Sequence, residues 1–225
     1  MRLRYWLGAA IVLVGISYAL RTDAGGFLWS GQEPAPPKAK PTYNVPKRCA
    51  DIVDLVLQET SNPSWALAQI DQESNCNPYA VSHVGALGLV QIMPENLEWL
   101  EYSVCADLGE AQPNNPDWAV PCYERFMQWF TVDEFDSYCP NLHVDSMRYN
   151  GGFYIIWELR TALSRLGVLS FKAAEQVCGT RLDNGRKRSK ASCDENYDYP
   201  ARIGYRQEKY YSELGGQMCP FNYKR

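Results

Sequence analysis

The stretch NPSWALAQIDQESNCNPYAVSHVGALGLVQIMP, residues 62–94, decides how the chain folds. Asn62 followed by Pro63 is an N-cap and first-turn pair, because the Asn side chain can accept a backbone N–H and proline lacks the one it would leave unpaired. The helix they open is predicted to run to about Ser74. Glu73 stands three positions after Ile70 and seven after Ala66, so it shares a stripe with apolar side chains. It also falls in the last turn, where the negative end of the helix dipole disfavours a carboxylate, and partial burial acts in the same direction. Both effects raise its pKa and suit it to general-acid work near neutral pH. Asp71, two positions earlier, points elsewhere on the helix and is expected to be a solvated surface charge. Taken alone, Glu73 could equally pair with an arginine at a frayed helix end, so the residues that follow it carry the decision.

From Glu73 the chain reads ESNCNPYAVSHVGALGLVQIMP, which resembles the signature of the soluble lytic transglycosylase (SLT) family: ES, then NPxAxS, then GAxGLMQIMP. Two more blocks follow in the family's order. RYNGG at 148–152 resembles AYNxG, and ENYDYPARI at 195–203 resembles ETxxYVxxI. The resemblance extends over about residues 50–211 and is weak between Asn96 and Arg148. It implies a mainly α, lysozyme-like fold that cleaves the bond between N-acetylmuramic acid and N-acetylglucosamine in peptidoglycan. By the same resemblance Glu73 is the catalytic glutamate, protonating the leaving oxygen and then deprotonating the muramic acid O6 to give a 1,6-anhydro sugar. Ser82, Gln91 and Met93 match positions lining the saccharide cleft. Tyr149 and Asn150 match the middle block, with Tyr149 expected to hydrogen-bond Glu73 or the sugar, and Tyr199 matches the tyrosine of the last. The plainer alternatives are a turn cap for Ser82, core filling for Met93 and ordinary packing for the tyrosines. Val90 and Arg148 depart from the family's usual methionine and alanine, which bears on subsite preference more than on catalysis.

This chemistry needs no metal, no cofactor and no second carboxylate, since the substrate's N-acetyl group can support positive charge and its O6 is the nucleophile. Glu95, Glu98 and Glu101 are therefore not required as partners, and Glu95 after Pro94 suits a helix start. Gly85 and Gly88 are expected to serve the backbone through positive φ or close approach. His83 beside Ser82 does not make a nucleophile dyad, because adjacent residues rarely hydrogen-bond and no third group orients them.

Outside this centre, Ile52, Val53, Leu55 and Val56 predict a helix over 48–59, and further amphipathic helices are predicted over 123–130 and 153–166. A small strand pair is expected near 85–92. Trp99, Tyr102, Trp118 and Trp129, in the weakly matching stretch, are assigned to the core in preference to sugar-stacking platforms. The chain is 46% hydrophobic over 225 residues, enough for one sizeable core, at 48–225. Its eight cysteines predict up to four disulfides in an oxidising compartment. Only Cys178 with Cys193 is a local pair, bracketing GTRLDNGRKRSKAS. A zinc site is disfavoured because no CxxC pair occurs and neither His83 nor His143 lies at ligand spacing.

Residues 1–23 begin MRLR and continue with the uncharged run YWLGAAIVLVGISYAL, which fits an export signal. Cleavage after Ser17-Tyr18-Ala19 would release the protein; retention with Arg21 snorkelling would leave a membrane anchor. Residues 24–47 hold five prolines and three glycines and form a spacer. Net charge is −4, which excludes a phosphate-binding footprint and hence nucleic acid as a partner. The expected partner is the peptidoglycan glycan strand. An acidic, anchored enzyme would also suit local opening of the wall for a secretion, conjugation or phage-entry apparatus. Two other functions stay open at this stage: a goose-type-like lysozyme with water as nucleophile, and a non-catalytic glycan-binding component of such an apparatus.

Overall fold

The computed structural model of the protein describes residues 42–131, 135 and 137–221. The expected leader or anchor at 1–23 lies outside the described residues, as does the spacer before residue 42. Among the described residues no helix is long and apolar enough to cross a membrane.

The described chain is helical: α1 (Val53–Glu59), α2 (Pro63–Ser74), α3 (Pro94–Trp99), α4 (Pro116–Phe130), α5 (Tyr138–Gly151), α6 (Tyr154–Leu166), α7 (Phe171–Val177) and α8 (Lys190–Arg206). α2 is its axis. Asn62 caps it by accepting from the Trp65 N–H with Pro63 behind it, and Asn75, in the left-handed region at φ 52°, ends it. Every residue from Ser64 to Asp71 is buried, the mark of a helix packed on all sides and not on one face. Full burial of Leu67 and Ile70 contributes roughly 1.5–3 kcal/mol each, and both are completely covered.

That all-round burial corrects the expectation for Asp71. Its carboxylate is buried and held by the Arg48 Nε and Nη2 donors at 2.8 Å each, with Arg206 at 3.4 Å. A charge in this position needs such partners, because leaving water uncompensated would cost several kcal/mol.

Two core clusters share α8 as a wall. The first gathers α1, α2, the 86–92 turn and α4 with Tyr199 and Ile203 of α8; the second gathers α5, α6 and α7 with Cys193 and Tyr197 of the same helix. The small β element expected near 85–92 is reduced to isolated antiparallel bridges, Val81 with Leu87 and Leu87 with Ile92. Gly88, at φ +75°, presses this turn so closely on its neighbour that a Cβ there would lie 1.9 Å from the Pro113 carbonyl oxygen.

All eight cysteines pair, as Cys49–Cys76, Cys105–Cys122, Cys139–Cys219 and Cys178–Cys193. The local pair anticipated from sequence forms, and the widest, Cys139–Cys219, closes 80 residues. In the chain-entropy view such a loop is worth about 4–5 kcal/mol.

Candidate active site

Glu73 occupies the last turn of α2, and the turn after it is fixed twice: by Asn75 and Cys76, both at positive φ, and by the Cys76 disulfide to Cys49. The carboxyl is partly buried. Burial pushes it up to about 7, Glu195 adds to the rise, and a hydrogen bond from Tyr199 opposes it. The Tyr199 hydroxyl, on buried α8 wall, donates to Glu73 Oε1. Among the described residues no cation pairs with Glu73, so the neutral acid survives to neutral pH while the charged form keeps one donor.

Tyr149, near the end of α5, donates its hydroxyl to the Val90 carbonyl and not to Glu73. It therefore ties α5 to the 80–92 turn. Burial and the nearby Glu73 charge hold both tyrosines well above their ordinary ionisation range, so each acts as a hydroxyl donor. Behind them, Tyr123 of α4 donates to Gln69 at 2.9 Å and stands 5.9 Å from the Tyr149 ring.

The remaining residues singled out in the sequence have mixed placements. Gln91, at φ 50°, spends its amide hydrogens on the Gly88 and Ala80 carbonyls, at 2.9 and 3.3 Å, and so braces the turn. Ser82 accepts from the Ala86 N–H at 2.9 Å, the turn-capping role. Met93 is half-buried at the N-cap of α3. Asn150 is exposed, meets the Asn196 amide at 3.3 Å, and lines a recess of about 410 Å³ with Tyr154, Arg188 and Glu195. The structure thus brings Glu73, Tyr199, Tyr149 and the 80–92 turn together, with Asn150 at the edge.

Sequence reasoning missed Glu195 and Tyr123. Glu195 precedes Tyr199 by one helical turn, so its reach to Glu73 was available from i, i+4 spacing. Glu95 and Glu98 are exposed, and Glu101 accepts from the Ala111 N–H at 3.0 Å, a loop brace. His83 is exposed; His143 is buried, 3.1 Å from the Cys219 carbonyl, and burial lowers its pKa to about 4. Two buried clusters, Cys49/Asp71/Cys76 and Glu158/Cys178/Cys193, have ligand-like spacing, but in both the sulfurs are joined in a disulfide and offer no thiolate.

Trp118 is buried, as expected, whereas Trp99, Tyr102 and Trp129 are exposed and correct the core assignment. Trp99 stands where α3 runs on into a π-helical turn, Leu100–Val104, Trp129 stands in the last turn of α4, and both rings remain at the surface.

Residues 55–158 match the family model described as Transglycosylase SLT domain. No curated protein matches the chain. Similar solved structures include the 70 kDa soluble lytic transglycosylase from Escherichia coli, at 24% identity and a TM-score of 0.52, covering 73% of this chain and 24% of that one. A complex of the 70-kDa soluble lytic transglycosylase with bulgecin A aligns at 20% identity and a TM-score of 0.51, over 76% of this chain and 25% of that one. The chain spans about a quarter of the length of these neighbours. The shared fold is the helical, lysozyme-like one.

Proposed function

We propose, from the match of residues 55–158 to the transglycosylase SLT domain, that the chain is a peptidoglycan lytic transglycosylase with Glu73 as its single acid and base. The observation that supports this most directly is the setting of Glu73: a carboxyl kept neutral to about 7 by burial yet partly exposed, with a tyrosine hydroxyl as partner and, among the described residues, no pairing cation. As the acid it gives its proton to the glycosidic oxygen between N-acetylmuramic acid and N-acetylglucosamine while the C1–O bond breaks. The muramic acid N-acetyl group supports the positive charge at C1. The resulting carboxylate, stabilised by the Tyr199 donor, then takes the proton from O6 as O6 bonds to C1. The products are an N-acetylglucosamine end and a 1,6-anhydromuramic end, no water is consumed, and Glu73 is again protonated.

Two-carboxylate glycosidases need the second group as nucleophile or water-activating base. A hydrolytic reading would assign that role to Glu195, the exposed carboxylate whose charge reaches Glu73. Tyr199 and Tyr149 fit the roles of holding Glu73 and positioning the 80–92 turn, and Ser82, Gln91, Met93 and Asn150 those of shaping the sugar cleft. The substrate lies outside the cytoplasmic membrane, so the enzyme works in the envelope, exported by its N-terminal segment and either anchored or released. Its disulfides suit that compartment. An acidic, anchored enzyme would suit wall opening for an envelope-spanning apparatus.

Glu73→Gln tests the reading. Turnover of purified peptidoglycan should fall by at least about a hundredfold, the scale of acid–base catalysis, while binding to the sacculus persists. Near-normal turnover would remove Glu73 from this role.

A further inference from the structure

A run of aromatic rings leads outward from the candidate site. Tyr149, tied to Val90 and within reach of the Glu73 charge, packs edge to face on Phe126 at 5.6 Å. Phe126 meets Trp99 at 5.8 Å and stacks on Trp129 at 6.4 Å with the planes 10° apart. Trp99 and Trp129 contact each other at 4.9 Å, and Trp129 meets Phe153 at 6.5 Å. Tyr149 and Phe126 are partly covered, but the outer rings are not: Trp99 is 38% exposed, Phe153 48% and Trp129 51%.

Three large adjacent rings facing water give up burial that each could have contributed to the core, so their exposure calls for a purpose. They come from three places in the fold: the end of α3, the end of α4 and the turn between α5 and α6. Their positions are fixed by edge-to-face contacts among themselves, and Arg148, a buried guanidinium 4.6 Å from the Phe153 centroid, steadies that ring from below. A rigid, half-wet aromatic surface matches the sugar ring, which has an apolar C–H face for stacking and a hydroxyl rim that stays hydrated.

We propose that Trp129, with Trp99 and Phe153, forms a saccharide-stacking subsite that grips a glycan strand beyond the bond being cleaved. The proposal rests on the glycan-cleaving reading of Glu73. Continuity selects the occupant: the exposed rings touch Phe126, Phe126 touches Tyr149, and Tyr149 lies within reach of the Glu73 charge, so the patch adjoins the candidate site where a glycan strand would lie. Binding energy gathered there is remote from the reacting bond and holds a long strand in register for repeated cuts.

The test uses the full chain carrying Glu73→Gln, so that strands are bound and not consumed, titrated with long peptide-free peptidoglycan glycan strands. Adding Trp129→Leu should weaken affinity about tenfold, the loss of one well-packed aromatic contact, whereas adding Trp129→Tyr should restore most of it. Phe153→Leu, on a separate turn, should weaken binding a few fold and guards against a folding defect at Trp129. Unchanged affinity with Leu at 129, or an equal loss with Tyr and Leu, would overturn the subsite. Release of soluble products by the unaltered chain is followed in parallel. Normal release with unchanged affinity in the Leu variant breaks the subsite alone; absent release with affinity still dependent on Trp129 breaks the enzymatic reading and leaves the subsite standing.

Discussion

Glu73 on α2 and Glu158 on α6 both sit among apolar side chains, and burial pushes both carboxyls up to about 7. The two regions differ in what they offer the charged form. Glu158 is fully buried, accepts from the Tyr197 hydroxyl at 2.9 Å and faces the equally buried Arg188 at 3.5 Å. Arg188 in turn holds Ser192 and lies over the Tyr154 ring, so the pair is locked inside the second core cluster. Glu73 has a tyrosine and, among the described residues, no cation, and it is partly exposed. A raised carboxyl alone therefore does not identify a catalytic acid; access and the lack of a compensating cation separate the two.

The largest expected effect breaks the structural member of the comparison. Glu158→Ala strands Arg188 in the core and should cost about 3–5 kcal/mol, the usual result of removing one partner of a buried ion pair, read by chemical denaturation. Equal stability would mean the Arg188 contact does no structural service. Tyr199→Phe sharpens the catalytic member. Losing that donor removes the contact that favours the charged form of Glu73, so turnover should fall about tenfold and the alkaline limb of the pH–rate profile should move above 7. An unmoved limb would show that Tyr199 does not act on Glu73.

The smallest effect concerns stability against pH. A carboxyl whose folded pKa is raised, as that of Glu73 is from 4.5 to about 7, contributes stability that is present below 4.5 and is lost as pH rises through 7. Glu73→Gln should therefore gain on the order of 1 kcal/mol over the unaltered chain between pH 5 and 8. His143 acts oppositely, its stabilising neutral form being lost as pH falls from 6.5 through about 4. It is common to both proteins and cancels in the difference. A constant difference across pH would contradict the raised carboxyl.

Much of this was legible in the sequence because it is local. Asn62-Pro63 sets the start of α2, Ile70 and Ala66 place Glu73 on an apolar stripe, and Cys178 lies near Cys193. What escaped depends on residues far apart in the chain. Asp71 looked solvated because periodicity assigns a helix one wet face, while α2 has none; its partners Arg48 and Arg206 are brought in only by the fold. Trp129 looked like core because residue type does not report which side of a helix the fold leaves uncovered. Tyr149 was expected near Glu73, but the carbonyl that takes its hydroxyl belongs to a turn whose path the spacing did not give.

The central claim, a single acid acting with the substrate's own nucleophile, is tested most directly by the mass of the cleavage products. Purified full-length protein is incubated with peptidoglycan, and the released muropeptides are identified by mass spectrometry against a Glu73→Gln control. The account predicts anhydro-muropeptides, lighter by one water than hydrolytic products and absent from the control. Reducing-end muropeptides from the unaltered protein would contradict it and make water, with a second base such as Glu195, the nucleophile.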